Sequence, residues 1–144
     1  MNVEGILRSK GAAVVTIKPD ATVRDLVDGL REERIGAMVV SEDGRSVIGI
    51  ISERDVVRGL AERGPRVLEA VVADLMTRNV VSCTPHDTVK QVMAEMTRRR
   101  VRHLPVVTDG VLTGIVSIGD VVKNRLEEME TETNVLREAY IARK

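Results

Sequence analysis

Past Pro19, apolar residues fall at Val23, Leu26, Val27 and Leu30, the i, i+3, i+4, i+7 spacing of a helix with one buried face. The same spacing returns at Val89, Val92, Met93 and Met96. Each run opens on a capping box, Thr22 with Asp25 and Thr88 with Gln91. Ahead of each lies a short extended piece, Val14–Ile17 or Val80–Cys83, followed by Pro19 or Pro85. Behind each come two apolar runs, "AMVV" and "VIGII" in the first copy, "LPVV" and "VLTGIV" in the second. An Asp-Gly pair, 43–44 or 109–110, separates them, which predicts a hairpin. The second run of each pair ends in one phrase, "GIISERD" at 49–55 and "GIVSIGD" at 114–120, and opens another helix. The chain therefore reads as β-α-β-β-α twice over. The offset between copies is 66 residues up to the Asp-Gly pairs and 65 beyond them, a deletion placed where a turn tolerates it. A unit of about 50 residues buries too little surface to be stable alone, so the two copies must pack together.

Between the copies, Gly64-Pro65 stops a helix, and Val67, Leu68, Val71, Val72 and Leu75 then recur at helical spacing, which predicts a structured connector. The divisions are a first repeat over 5–62, a helical connector over 63–75, a second repeat over 76–126 and a C-terminal helical extension over 127–144. Val122, Leu126, Met129, Leu136 and Tyr140 form a near-heptad seam with Thr133 in the remaining slot. That helix either lies along its own domain or meets a second copy or another partner.

Composition narrows the function. Of 144 residues, 43% are hydrophobic and 31% charged, and the basic and acidic residues cancel. That balance argues against a dedicated nucleic-acid or membrane-surface protein. Tyr140 is the sole aromatic, so a flat ligand must be held by aliphatic side chains and backbone, and base-stacking platforms are excluded. No apolar run approaches the roughly 18 residues of a membrane span. The start of the chain lacks the pattern of a signal peptide, and Cys83 is the only cysteine, so no internal disulfide forms. These features suit the cytoplasm.

The repeated Ser-x-x-Asp has two readings that can coexist. It is a helix-capping motif, Ser52 with Asp55 and Ser117 with Asp120. It also puts a hydroxyl and a carboxylate beside a helix N-terminus, where free N–H groups suit phosphate and a carboxylate can accept both hydroxyls of a ribose. His86 and His103 lie on unlike elements, which gives no metal motif, and Cys83 reads as a packed strand residue. The run "TRRRVRH", 97–103, is either a helix end whose cations complement the dipole or a basic patch. No nucleophile–base pair, P-loop or metal motif is visible, and no catalytic residue is assigned.

The stretches "VVTIKPDATVRDL", "AMVVSEDGRSVIGIISERDVV", "DLMTRNVVSCTPHDTVKQVMAEM" and "VRHLPVVTDGVLTGIVSIGDVV", in this order and duplicated, resemble a CBS domain pair, the Bateman module, in stand-alone form. The resemblance implies an α/β (α+β) fold of tandem repeats related by a pseudo-two-fold axis, with two clefts between them. It implies a regulatory module and not an enzyme, needing no cofactor and binding AMP, ADP, ATP, NAD or S-adenosylmethionine. The ribose role falls on Asp55 and Asp120, with Ser52 and Ser117 beside it. Backbone contacts to the base fall on Val14 and Val80. The phosphate end falls near Gly36-Ala37 in one copy and Arg102-His103 in the other, and Arg54 joins the set. The resemblance further implies a homodimer and a protein target that ligand binding would switch. The alternatives are a ligand-free module for dimerisation or docking, and a nucleic-acid binder acting through Arg98–Arg102.

Overall fold

The computed structural model describes residues 1–142. A lead helix α1 (Val3–Lys10) is followed by β1 (Thr16–Ile17), α2 (Val23–Glu33), β2 (Ala37–Val40), β3 (Gly49–Ser52) and α3 (Glu53–Arg63). A 3-10 turn over 64–69 leads to α4 (Val72–Leu75), α5 (Val89–Arg99), β4 (His103–Thr108), β5 (Val111–Ser117) and α6 (Ile118–Ala142). The two capped helices begin where their Thr residues predict. Thr22 Oγ1 accepts from the Asp25 N–H and Thr88 Oγ1 from the Gln91 N–H, both at 3.1 Å. Each helix ends on an arginine in the left-handed region, Arg34 at φ 55° and Arg100 at φ 56°.

The first extended piece is shorter than its sequence suggests. In copy one, Val14–Ile17 reduces to Thr16–Ile17, pairing parallel to Val39 and Val40. In copy two, Val80–Cys83 forms no strand, only a single parallel bridge from Cys83 to Val106. Pro105 stands where copy one has Val39, and a proline has no N–H to continue the ladder. What survives are the two bonds around it, Cys83 N–H to the Pro105 carbonyl and Val107 N–H to the Cys83 carbonyl, each 2.9 Å.

The hairpins also differ. In copy two, Asp109 (φ 51°) and Gly110 (φ 78°) make the two-residue turn that Asp-Gly favours. In copy one the connection runs from residue 41 to 48. There Asp43 Oδ1 accepts the N–H groups of Arg45 (2.8 Å) and Ser46 (2.9 Å). The Arg45 carbonyl in that loop accepts the Leu112 N–H of copy two at 2.7 Å.

The copies are joined by an exchange of lead helices. Val3, Ile6 and Leu7 of α1 are buried with Val89, Val92, Leu104 and Val116 of copy two. Val72 of α4, with Met76 just after it, is buried with Leu26, Met38, Val40 and Ile51 of copy one. The backbone bonds match one for one. Val3 and Glu4 donate to the carbonyls of Asp87 and Pro85, while Val72 and Ala73 donate to those of Ala21 and Pro19. Packing thus crosses the divisions read from chain order, and the connector residues 72–76 complete the first repeat's core. Residues 63–75 hold the end of α3, the 3-10 turn and α4. This connector is not one helix, because Ala70 and Val71 are extended between the 3-10 turn and α4.

Past Asn124, α6 runs off the body, keeping an ion pair from Glu128 to the Met1 ammonium at 3.6 Å. Val122, Leu126, Met129, Leu136 and Tyr140 are all at least about half exposed, from 48% to 71%. The helix therefore does not lie with its seam along its own domain.

Candidate functional site

Two clefts open between the copies, and the exchange decides what lines each. In both copies the strand ends in a serine that caps the next helix. Ser52 N–H donates to Asp55 Oδ2 at 2.8 Å and its hydroxyl donates to the same oxygen at 3.2 Å. Ser117 N–H donates to Asp120 Oδ2 at 2.9 Å, and the Asp120 N–H donates to Ser117 Oγ at 3.2 Å. The capping reading of Ser-x-x-Asp is therefore realised twice, and both aspartates also border clefts.

The first cleft has a volume of about 300 Å³. It unites Ser52, Arg54 and Asp55 with Ala37 from copy one, and Val80, Arg102 and His103 from copy two. Seven of the ten residues singled out in the sequence thus meet in one cavity. The second, about 440 Å³, takes Ser117 and Asp120 from copy two, Ala37 from copy one and the segment leading out of α1. His103 lines both. Val14 lines neither cleft, although its neighbours Ala13 and Val15 line the second.

Each cleft pairs the Ser-x-x-Asp of one copy with the left-handed arginine of the other, Arg100 with Asp55 and Arg34 with Asp120. The pseudo-symmetry stops there. Arg102 faces the first cleft, where it joins Arg54, Arg58 and Arg100 against only two carboxylates, Glu53 and Asp55. Its counterpart Gly36 brings no charge to the second cleft. A Cβ at Gly36 would lie 2.7 Å from Glu53 Oε1, so a larger residue there would displace the end of that flexible side chain.

The two aspartates are also held differently. Asp120 forms an ion pair with Lys10 at 2.7 Å, both side chains largely covered. Burial pushes the Asp120 carboxyl up, but the Lys10 ammonium and the Ser117 N–H outweigh it and hold it below the usual carboxylate value. Among the described residues, the cation paired with Asp55 is Arg58 at 4.0 Å, an arginine that is mostly in solvent. His103 stays neutral to lower pH than an ordinary histidine, because burial disfavours the imidazolium more than the nearby Glu53 and Asp120 carboxylates favour it. Lys10 carries no local signal in the sequence, since it stands 110 residues from Asp120. Arg58 could have been found, three residues past Asp55 on the same helix. Asn79 and Arg100 were readable only as flanks of Val80 and Arg102.

The run 97–103 divides. Arg98 and Arg99 pair with Glu95 on α5, whereas Arg100 and Arg102 turn into the first cleft. Cys83 is buried, and burial pushes its thiol up to about 12, as befits a packing residue.

The CBS domain family model matches residues 5–62 and 72–127. A mitochondrial CBS domain-containing protein of Arabidopsis thaliana is 35% identical over 96% of this chain and 71% of its own length. The crystal structure of a CBS-domain protein from Agrobacterium tumefaciens is 44% identical, with a TM-score of 0.83 over 86% of this chain and 92% of that one. The CBS domain pair of protein MJ0100, crystallised with 5'-methylthioadenosine and S-adenosylmethionine, shares the fold at a TM-score of 0.79 and 22% identity, over 89% of this chain and 98% of that one. Among the described residues no helix is long and apolar enough to cross a membrane.

Proposed function

The chain belongs to the CBS-domain family, and from that premise we propose that it is a regulatory module binding one adenosine nucleotide in its first cleft. The observation that carries this reading is the single cavity in which Val80, Asp55 and Arg102 converge from both copies. The backbone edge at Val80–Val81 takes the base. Asp55 accepts ribose hydroxyls, with Ser52 holding the carboxylate in place. Arg100 and Arg102, with the N-terminus of α3, take phosphate. Four arginines against two carboxylates favour AMP, ADP, ATP or NAD over an uncharged adenosine compound. The adenosine ligands of the MJ0100 pair support the ligand class. The signal is a change in how the copies sit together, because each cleft is built from both. A homodimer in the cytoplasm suits the exposed α6 seam and the single buried thiol.

Calorimetry with adenosine, AMP, ADP, ATP, NAD and S-adenosylmethionine tests the reading. We expect one tight site per chain, weakened roughly ten- to a hundredfold by Asp55→Asn, the range of a charge-assisted hydrogen bond. Arg102→Ala is to weaken AMP by a similar factor and leave adenosine nearly unchanged. No binding by any of the six ends the sensor reading and leaves dimerisation or partner docking, which the exposed seam favours. Nucleic-acid binding through Arg98–Arg102 is disfavoured, because half of that run is paired to Glu95 and half faces the cleft.

A further inference from the structure

The part of α6 that leaves the body, residues 125–142, is about 27 Å of helix. An isolated helix of that length is marginal in water, and this one bears an apolar row it does not bury. Val122, Leu126, Met129, Thr133, Leu136 and Tyr140 alternate at spacings of four and three, the d and a positions of a heptad. Thr133 is the polar member of the row, and its hydroxyl is already satisfied by the Met129 carbonyl at 2.9 Å. Its burial therefore orphans no donor.

The flanking charges choose the partner. On the same heptad, Arg125, Glu132 and Ala139 take the g positions, and Lys123, Glu130 and Arg137 take the e positions. In a parallel pair, each g residue meets the e residue five positions on in the other strand. Arg125 then meets Glu130 and Glu132 meets Arg137, opposite charges both times. An antiparallel pair centred on the helix sets Glu130 against Glu130, Glu132 against Glu132 and Lys123 against Arg137, all repulsive. Within the described residues of its own chain Arg125 pairs with Glu128, at 3.2 Å.

We propose that α6 is the strand of a parallel, in-register, two-stranded coiled coil formed with a second copy of this chain. It deepens the homodimer reading above by assigning the face and the orientation. The coil holds the two bodies side by side at the same end, with their clefts free.

Full-length Leu136→Cys tests orientation. A parallel register sets the two introduced thiols against each other, whereas an antiparallel one separates them by about 15 Å along the axis. Cys83 is buried and serves as the silent control in the unsubstituted chain. We expect a dimer mass by light scattering and near-complete cross-linking of L136C under a mild disulfide oxidant. Glu130→Arg should weaken the dimer roughly three- to thirtyfold through its two lost pairs, and Arg125→Glu added to it should restore association. Leu126→Asp with Leu136→Asp should give a folded monomer. A wild-type monomer at micromolar concentration overturns both the homodimer and the coil. A dimer that survives the double aspartate variant and does not cross-link overturns the coil alone.

Discussion

The two clefts are built from one repeated unit, yet their aspartates meet different company. Asp55 faces arginines across an open cavity, while Asp120 is already paired with Lys10 at 2.7 Å. The cause is the residue that each exchanged lead segment brings to its cleft. The backbone bonds align Val3 with Val72, so Lys10 at the end of the eight-residue α1 matches Asn79, four residues past the end of α4. One copy delivers an ammonium to its cleft, the other a neutral amide. Near-identical sequence phrases can thus give one aspartate that faces arginines and one that is paired with a lysine, with the difference set by an element outside the phrase.

The largest effect should come from the shared core and should not distinguish the copies. Leu26 and Leu104 are both essentially fully buried, one in each core. Leu26→Ala and Leu104→Ala should each cost about 2–5 kcal/mol. Because the lead helices are exchanged, either variant should unfold in one transition by denaturant followed with circular dichroism. Two separated transitions would show that the copies fold independently.

Next in size is the lock on the second cleft. Lys10→Met leaves Asp120 without its cation, so calorimetry with AMP should report a second, weaker site where the parent reports one. The same variant should let the Asp120 carboxyl rise toward the ordinary range. In the parent, the stability from this pair is present above the ordinary aspartate value and is lost as pH falls through the depressed one. Acid unfolding of Lys10→Met should therefore lack that component. An unchanged stoichiometry would mean that charge does not close the second cleft.

The smallest effect is a proton. With His103 depressed in the folded chain, the unfolded chain protonates first, and stability should fall as pH drops below about 6.5. A phosphate beside the ring favours the imidazolium and raises it again. AMP binding near that pH should then take up a fraction of a proton, seen as a dependence of the heat on buffer ionisation, and His103→Gln should remove it. Equal proton uptake in both would assign the proton to the ligand's own phosphate.

The repeat, its two capped helices, the hairpins and the Ser-x-x-Asp pairs were legible in the chain because each is a local pattern. A capping box spans four residues, and a buried helix face repeats within eleven. The resemblance to a CBS pair rested on the order of such patterns, and it named Ser52, Asp55, Val80 and Arg102 as ligand contacts without saying which aspartate the arginine accompanies. Local patterns did not reveal that Pro105 would cut a strand to a bridge, since that depends on which strand lies beside it. Nor could they say that Arg102 lines the same cleft as Asp55, or that Lys10 would reach Asp120. The Lys10 contact exists because α1 packs on the other copy. Burial rewards any arrangement that covers both cores, and backbone spacing along the chain carries no record of which copy a helix will cover.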